Sequence, residues 1–419
     1  MTTARPTAPP DPSPVENPRH RAARGPLCDP ALGPARQLLD RLTPADRRVL
    51  RIYLFTRMGL WIVVYCTGWL FPAGSRVTSP GPWLSHWERW DWMHYRRIAE
   101  YGYFDALPGV DPASDNRVAF FPGFPLVLRA VHTVVPNWTV AGLLISLTCG
   151  AVAVVALARI AGIGHPDGGD RAGQRAAGFL LLSPAAVFLA AGYTESLFLA
   201  FALPAWLAAK NRRWPLAGLL AALATTTRVS GLFLAAAIAV EFLVAHNHRG
   251  ARRDWRSFLW CALPAVPALA FAHYVHARTD DWMAWKHAQE RGWKRDFHTP
   301  AEAFRNTWQN AFGHHQTTGF AWGFQLELVA MATGVLLLAW LLIGRRWPEA
   351  VFIALSLWAL GTSYWYLSIP RATLLWWPLW TGLAHWSLRR RWVKEAYACV
   401  VAPLMVVLVV TFASGRWAG

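Results

Sequence analysis

Asp91 is the residue of this sequence whose setting most suggests chemistry. It lies in HWERWDWMHYRRIAEYGYFDALPGVDPASDNRVAFFPGFP, residues 86–125, where a dense aromatic and charged run gives way to a Pro-punctuated apolar one. A helix turning about 100° per residue puts Trp87, Trp90, Asp91, His94, Ile98 and Tyr101 on one face, and Arg89, Arg96 and Glu100 on another. A carboxylate on the aromatic face is not there for solvation, because the solvating charges have their own face. Burial beside the rings would raise its pKa and make it a better proton acceptor. Interfacial anchoring of an amphipathic helix explains the aromatics and arginines but leaves Asp91 unexplained.

Three further polar groups stand where apolar stretches begin or end. Glu195 follows Tyr193 and Thr194 at a predicted helix start, where a carboxylate either caps the helix or serves a site at the positive end of its dipole. Arg228 follows three threonines at the end of an apolar run, and Arg371 follows Pro370 at the start of another. Each arginine either snorkels to the interface or holds a phosphate through its forked guanidinium. The loop DDWMAWKHAQERGWKRDF, residues 280–297, mixes aromatic faces with Lys286, His287, Gln289, Arg291 and Lys294. That composition suits a sugar or lipid headgroup, and equally an interfacial helix. Asp105, Asp111 and Asp115 lie among Pro, Gly, Ser and Asn, which makes a turn-rich loop their default.

The elements that must position these residues are hydrophobic. Of 419 residues, 54% are apolar and 26 are Trp, so the chain reads as an all-α polytopic membrane protein. Candidate spans are 53–71, 138–160, 176–193, 195–210, 214–227, 231–246, 257–276, 323–343, 349–367, 370–387 and 396–413, about eleven transmembrane helices in all. Residues 1–46, rich in Pro and Arg without hydrophobic periodicity, read as a disordered cytoplasmic tail ahead of one integral-membrane domain, 47–419. The first apolar run then acts as a signal anchor.

Basic residues set the expected orientation. With the tail inside, the inward gaps carry Arg159, Arg171 and Arg175; Arg212 and Arg213; Arg249, Arg252, Arg253 and Arg256; Arg345 and Arg346; and Arg389 to Arg391 with Lys394. Every inward gap is basic, as the positive-inside rule requires. The remaining polar features, including two long loops with amphipathic helices at 73–137 and 277–322, then all fall outside. The Pro-rich piece 120–136 is expected to dip into the interface without spanning.

The formal charge of +17 would suggest nucleic acid in a soluble domain, but arginines that lie mostly between hydrophobic runs, at alternate loops, point to membrane topology and to no nucleic-acid partner. Cys28, Cys66, Cys149, Cys261 and Cys399 lack disulfide or zinc spacing. No GxGxxG after a strand, Walker loop, HExxH or GxSxG is present, which argues against soluble nucleotide-sugar chemistry. Arginine greatly outnumbers lysine, a hint of a GC-rich bacterial genome and hence a bacterial plasma membrane.

The ordered motifs RWDWMHYRRIAEYGY, AFFPGFP, GYTESLF, ATTTRVSG, DWMAWKHAQERGWKRDF and SIPRATL, spread over residues 50 to 390, resemble those of the PIG-V mannosyltransferase family. That family holds GPI mannosyltransferase II and lies within the GT-C class of polytopic glycosyltransferases. The resemblance implies a GT-C-like fold, a polyprenyl-phosphate mannose donor used on the extracytoplasmic side, and an acidic residue of the first outer loop at the reaction centre, here Asp91. Trp90, His94, Tyr95, Glu195 and Gln289 then become candidate substrate contacts, and Arg228 and Arg371 candidate donor-phosphate contacts. Departures at Gly123, at Val229-Ser230 and at Ala372 bear on the acceptor, an unidentified hydroxyl. The mechanism so implied has Asp91 deprotonate the acceptor, which displaces the lipid phosphate with inversion. A lipid phosphate is already a competent leaving group, so cationic side chains can suffice without a metal or cofactor. The competing class is a transporter or flippase of a phosphate-bearing lipid, which predicts internal repeats with matching broken helices; no such repeat is evident.

Overall fold

The structure, a computed structural model, describes residues 2, 42–71, 83–106, 115–165, 169–247 and 255–418. Nearly all of the expected tail, together with Cys28, Asp111, Arg249, Arg252 and Arg253, lies outside them. Among the described residues every regular element is helical, and residues from Pro44 onward form one unit. In chain order the helices are α1 (Pro44–Leu70), α2 (Asp91–Tyr101), α3 (Gly123–His132), α4 (Trp138–Gly162), α5 (Gly169–Leu181), α6 (Thr194–Lys210), α7 (Trp214–Thr227) and α8 (Ser230–Asn247). After them come α9 (Trp255–Thr279, with a 3-10 turn near its start), α10 (Ala284–Trp293), α11 (Pro300–Phe312), α12 (Thr318–Ile343), α13 (Trp347–Gly361), α14 (Trp377–Arg389) and α15 (Arg391–Ala413, with a π turn).

Five of these, α1, α4, α9, α12 and α15, are long and apolar enough to cross a membrane, which makes this a multi-pass membrane protein. The other six expected spans carry shorter helices. Among them α6 is apolar around its whole circumference and buried along most of its length, as such a helix must be. Both long loops carry the expected amphipathic helices, α2 and α3 in the first, α10 and α11 in the second. At 10 residues α3 is too short to span, as its prolines suggest.

The helices alternate in direction, so the ends of the bundle have different chemistry. α6 starts at Glu195 and finishes at Lys210, whose Nζ donates to Glu241 of α8 at 3.1 Å. Arg212 and Arg213 therefore lie at the end away from Glu195. Asp46 of α1 accepts from Arg159 of α4 at 2.8 Å there, and Arg346 pairs with Glu349 at 2.7 Å before α13 runs back. Asp91, Glu195, Arg228 and Arg371 share the opposite end.

One correction concerns the first loop. No single helix runs from Trp87 to Tyr101: Trp87 belongs to a 3-10 turn, Trp83–Trp87, and Trp90 has φ of 50°, which breaks the chain before α2 begins at Asp91. The buried face of α2 is Trp92, Tyr95, Ile98 and Ala99, whereas Trp90 and Tyr101 are more than a third exposed. The face is set by where a ring can enter the bundle. The Trp92 indole wedges between Gly142 of α4 and Gly192, so close that a Cβ on Gly142 would lie 2.6 Å from it and one on Gly192 2.4 Å. This wedge seats α2, and with it Asp91.

Gly192→Ala is therefore expected to lower thermal stability in detergent by about 1–3 kcal/mol through overpacking. Gly178→Ala in α5, where an added methyl meets nothing within 4 Å, is expected to leave stability unchanged or raise it by roughly 0.5–1 kcal/mol.

Candidate active site

Four charged residues from four parts of the chain meet at the end of the bundle occupied by the long loops. Glu195 sits in the first turn of α6 and is fully buried. Its Oε1 accepts from Arg228 Nη1 at 2.6 Å and from Arg371 Nε. Arg371 Nη1 also donates to Asp91 Oδ2, in the first turn of α2. Thr194 Oγ1 accepts a further bond from Arg228 at 2.8 Å. The order is thus Arg228, Glu195, Arg371, Asp91, with opposite charges alternating.

Each member is held by local structure. Arg228 ends α7 in an extended conformation (φ −156°), and the turn after it closes because Gly231 lies so near Thr225 that a Cβ would fall 2.4 Å from its Cα. The Thr225, Thr226 and Thr227 hydroxyls donate back to helix carbonyls, leaving the arginine as the outward-reaching group. Arg371 lies in the one-turn helix Ile369–Ala372, entered through Ser368 at φ 64° and started by Pro370. Glu327 of α12 accepts from Ser368 N at 2.7 Å and from Ile369 N at 2.8 Å, so both its oxygens cap that turn. The Arg371 guanidinium also lies 4.7 Å from the Tyr193 ring centroid and 4.9 Å from that of Phe188.

These positions argue against capping by the Glu195 side chain and against snorkelling by the arginines. The Glu195 side chain bonds arginines, and the N-cap of α6 is Tyr193, which makes no side-chain cap. Arg371 is buried and Arg228 reaches inward, so neither snorkels. Asp91 does not sit among apolar rings alone, because the Arg371 guanidinium faces it. A helical projection cannot see this partner, which arrives from 280 residues along the chain.

Two cavities meet at Asp91. The first, about 390 Å³, is lined by Arg228, Arg371, Arg295, Gln289 and Tyr95, with Trp90, Trp293 and Trp417 at its aromatic edge. The second, about 490 Å³, is lined by His94, Asn116, Lys294 and Gln316 among Trp293, Phe320, Phe324, Trp365 and Trp417. Trp90 and Asp91 belong to both. All eight residues singled out from the sequence thus line these cavities or, in the case of Glu195, bond the arginines that do.

Their settings differ. Burial pushes the Tyr95 hydroxyl up to about 12, so it stays protonated and can only donate or accept a hydrogen bond. Burial lowers the pKa of His94, leaving a neutral imidazole at pH 7 whose buried Nδ1 has no partner among the described residues. Its ring stacks on Phe120 at 4.9 Å. Gln289 Nε2 donates to Ala119 O at 2.9 Å and Trp285 Nε1 to the same oxygen at 3.1 Å, which docks α10 on the first loop. Asp115 accepts from the buried Arg117, and the carbonyl of Asp105 accepts from it too, so these aspartates brace the loop.

A model of glycosyltransferase family 87 matches residues 120–368, more than half of the chain. The chain belongs to that family. It is also similar to GPI alpha-1,6-mannosyltransferase 2 of mouse, at 34% identity over 197 residues, which is 44% of this chain and 36% of the mouse protein. The hamster protein of the same name is 38% identical over 175 residues, 39% of this chain and 32% of that protein. This chain thus spans about a third of the length of the curated relatives it matches. The resemblance to the PIG-V family drawn from the six motifs is borne out by these matches. Among solved structures, an oligosaccharyltransferase of Archaeoglobus fulgidus in the apo form is 13% identical, with 88% of this chain and 56% of that one aligned at a TM-score of 0.39.

For this family 87 member, sequence reading passed over three residues at the cavities. Glu327 had a usable signal, being a carboxylate inside a 26-residue apolar helix. Arg295 lay unremarked within the motif that supplies Gln289. Trp417 lies beyond the family motifs and meets Trp90 edge-on at 5.5 Å, a contact no spacing foretells. Of the departures from the family pattern, Val229, Ser230 and Ala372 line the arginine cavity. Gly123 packs on the end of α7, where a Cβ would lie 2.5 Å from Thr226 Oγ1.

Glu327→Ala leaves the Ser368 and Ile369 amides without their acceptor. An unfolding measurement in detergent is expected to show a loss of roughly 1–3 kcal/mol for each amide that stays buried, with Glu327→Gln losing less because it keeps one oxygen.

Proposed function

We propose that this chain transfers mannose from polyprenyl-phosphate mannose to a hydroxyl of an extracytoplasmic acceptor, with inversion at the anomeric carbon. The observation that carries the reading is the position of Asp91, at the seam of the two cavities and in contact with Arg371. The donor phosphate enters the cavity with the arginines, and the acceptor enters the aromatic one. Asp91 takes the acceptor's hydroxyl proton as its oxygen bonds to the anomeric carbon. The bond from that carbon to the phosphate oxygen breaks, and the electron pair leaves with the polyprenyl phosphate. Arg371 and Arg228 meet the charge that develops there.

The pairing of Arg371 with Asp91 fits this sequence of events. A phosphate oxygen at Arg371 competes with Asp91 for the same N–H, and each step toward the phosphate returns a lone pair to the carboxylate. Donor binding thereby readies the base. In the second cavity His94 and Asn116 offer polar atoms to an acceptor, and the indoles of Trp293 and Trp365 offer stacking faces. The described basic turns sit at the opposite end of the bundle, which supports an extracytoplasmic site in the plasma membrane by the positive-inside rule. The family match favours this reading over a transporter.

Membranes carrying wild type or Asp91→Asn, supplied with radiolabelled polyprenyl-phosphate mannose, test it. Transfer is expected to fall by about 10²–10⁴-fold in the variant, with protein level and donor binding retained. Equal transfer by both would remove Asp91 as the base. Binding of the donor without any transfer by wild type, across lipid and glycan acceptors, would remove the mannosyltransferase reading.

A further inference from the structure

The cations of the first cavity are not equivalent. Arg228 is bound by Glu195, Arg371 by Glu195 and Asp91, and Lys286 by Glu290 at 3.0 Å. Arg295 lines the same cavity, yet its guanidinium makes no hydrogen bond or ion pair among the described residues. Of these four cations Arg295 is the one with no carboxylate in contact among the described residues; Asp91 and Glu327 act on it only through space.

Its position is built. Lys294, at φ 51°, ends α10 in the left-handed conformation and turns the chain so that Arg295 follows at the cavity wall. Tyr364 N donates to Lys294 O at 3.3 Å and His298 N to Thr362 O at 2.8 Å. Residues 294–298 thus lie against 362–364, just before the turn that carries Arg371. Burial, and then the neighbouring Arg228, lower the Arg295 pKa to about 10, which still leaves it charged at neutral pH. A partly buried cation beside another cation, with no carboxylate in contact among the described residues, is an arrangement that an incoming anion completes.

We infer that Arg295 is the residue that binds the phosphate of the lipid donor, ahead of Arg228 and Arg371, whose charges are already balanced. This assignment rests on the proposed lipid-phosphate donor. A phosphodiester carries one negative charge and would give Arg295 the contact partner that the other three cations already have. Arg295 supplies the net attraction; Arg371, released from Asp91, meets the second charge that appears when the sugar departs.

The test uses the full chain in nanodiscs, with wild type, Arg295→Lys and Arg295→Gln titrated with polyprenyl phosphate, with the neutral polyprenol of equal length, and with inorganic phosphate as competitor. Wild type is expected to bind polyprenyl phosphate more tightly than polyprenol. Arg295→Gln is expected to weaken the phosphate lipid by about tenfold to a hundredfold, Arg295→Lys by less, and neither to change polyprenol binding. Unchanged affinity in Arg295→Gln overturns the assignment while leaving the donor reading standing. Equal binding of polyprenyl phosphate and polyprenol by wild type overturns the lipid-phosphate donor itself. Displacement of the lipid by inorganic phosphate at equal concentration reassigns Arg295 to a free anion. Arg295→Lys separates lost charge from lost fold, because it keeps the cation and loses only the fork.

Discussion

Glu195 presents one buried carboxylate oxygen to two guanidinium groups, and the rest of the site is arranged about that contact. Removing any member would leave an unpaired charge in a poorly solvated place, so the cluster is held together by the high cost of breaking it. Because Arg371 also reaches Asp91, the same contact that anchors the arginines sets the place of the candidate base. The α6 dipole adds to this, since Glu195 stands in the first turn, where a negative charge is favoured.

The cluster in turn constrains the backbone. Arg228 and Arg371 both come from breaks between helices, where the chain can leave the regular path and send a long side chain inward. Glu327 shows how such a break is made tolerable in an apolar bundle: its two oxygens satisfy the two amides that the turn before Arg371 exposes. Close packing does the corresponding work elsewhere. Glycines 142 and 192 admit the Trp92 ring, and Gly231 and Gly123 let the turn after α7 and the start of α3 approach neighbouring backbone. The space around Asp91 divides into two cavities that share Trp90, Trp293 and Trp417, and the arginines line only the first.

Much of this was legible in the sequence. Long apolar runs must be helices in a bilayer, because no other segment can satisfy its own backbone there, so the polytopic all-helical class follows from composition and run length. The eight candidate residues stood out for a related reason: each is a polar or aromatic group at the margin of an apolar run, or on a face of a loop helix, where it needs a partner. Sequence pattern also found both long loops and their amphipathic helices. It determined which residues had to meet something.

What they meet was decided only by the tertiary structure. The Arg371 turn lies 280 residues from Asp91, and periodicity, which describes one element at a time, carries no information about contacts between elements. The projected face of the first loop failed for the same reason, since the rotation of α2 is set by a Trp92 socket made from α4 and Gly192. Crossing length behaved likewise: a helix such as α6 is apolar because it is surrounded by protein, and in the sequence that looks the same as being surrounded by lipid. Arg295 is the extreme case, because having no carboxylate in contact among the described residues is a property of the assembled cavity and of no single stretch of chain.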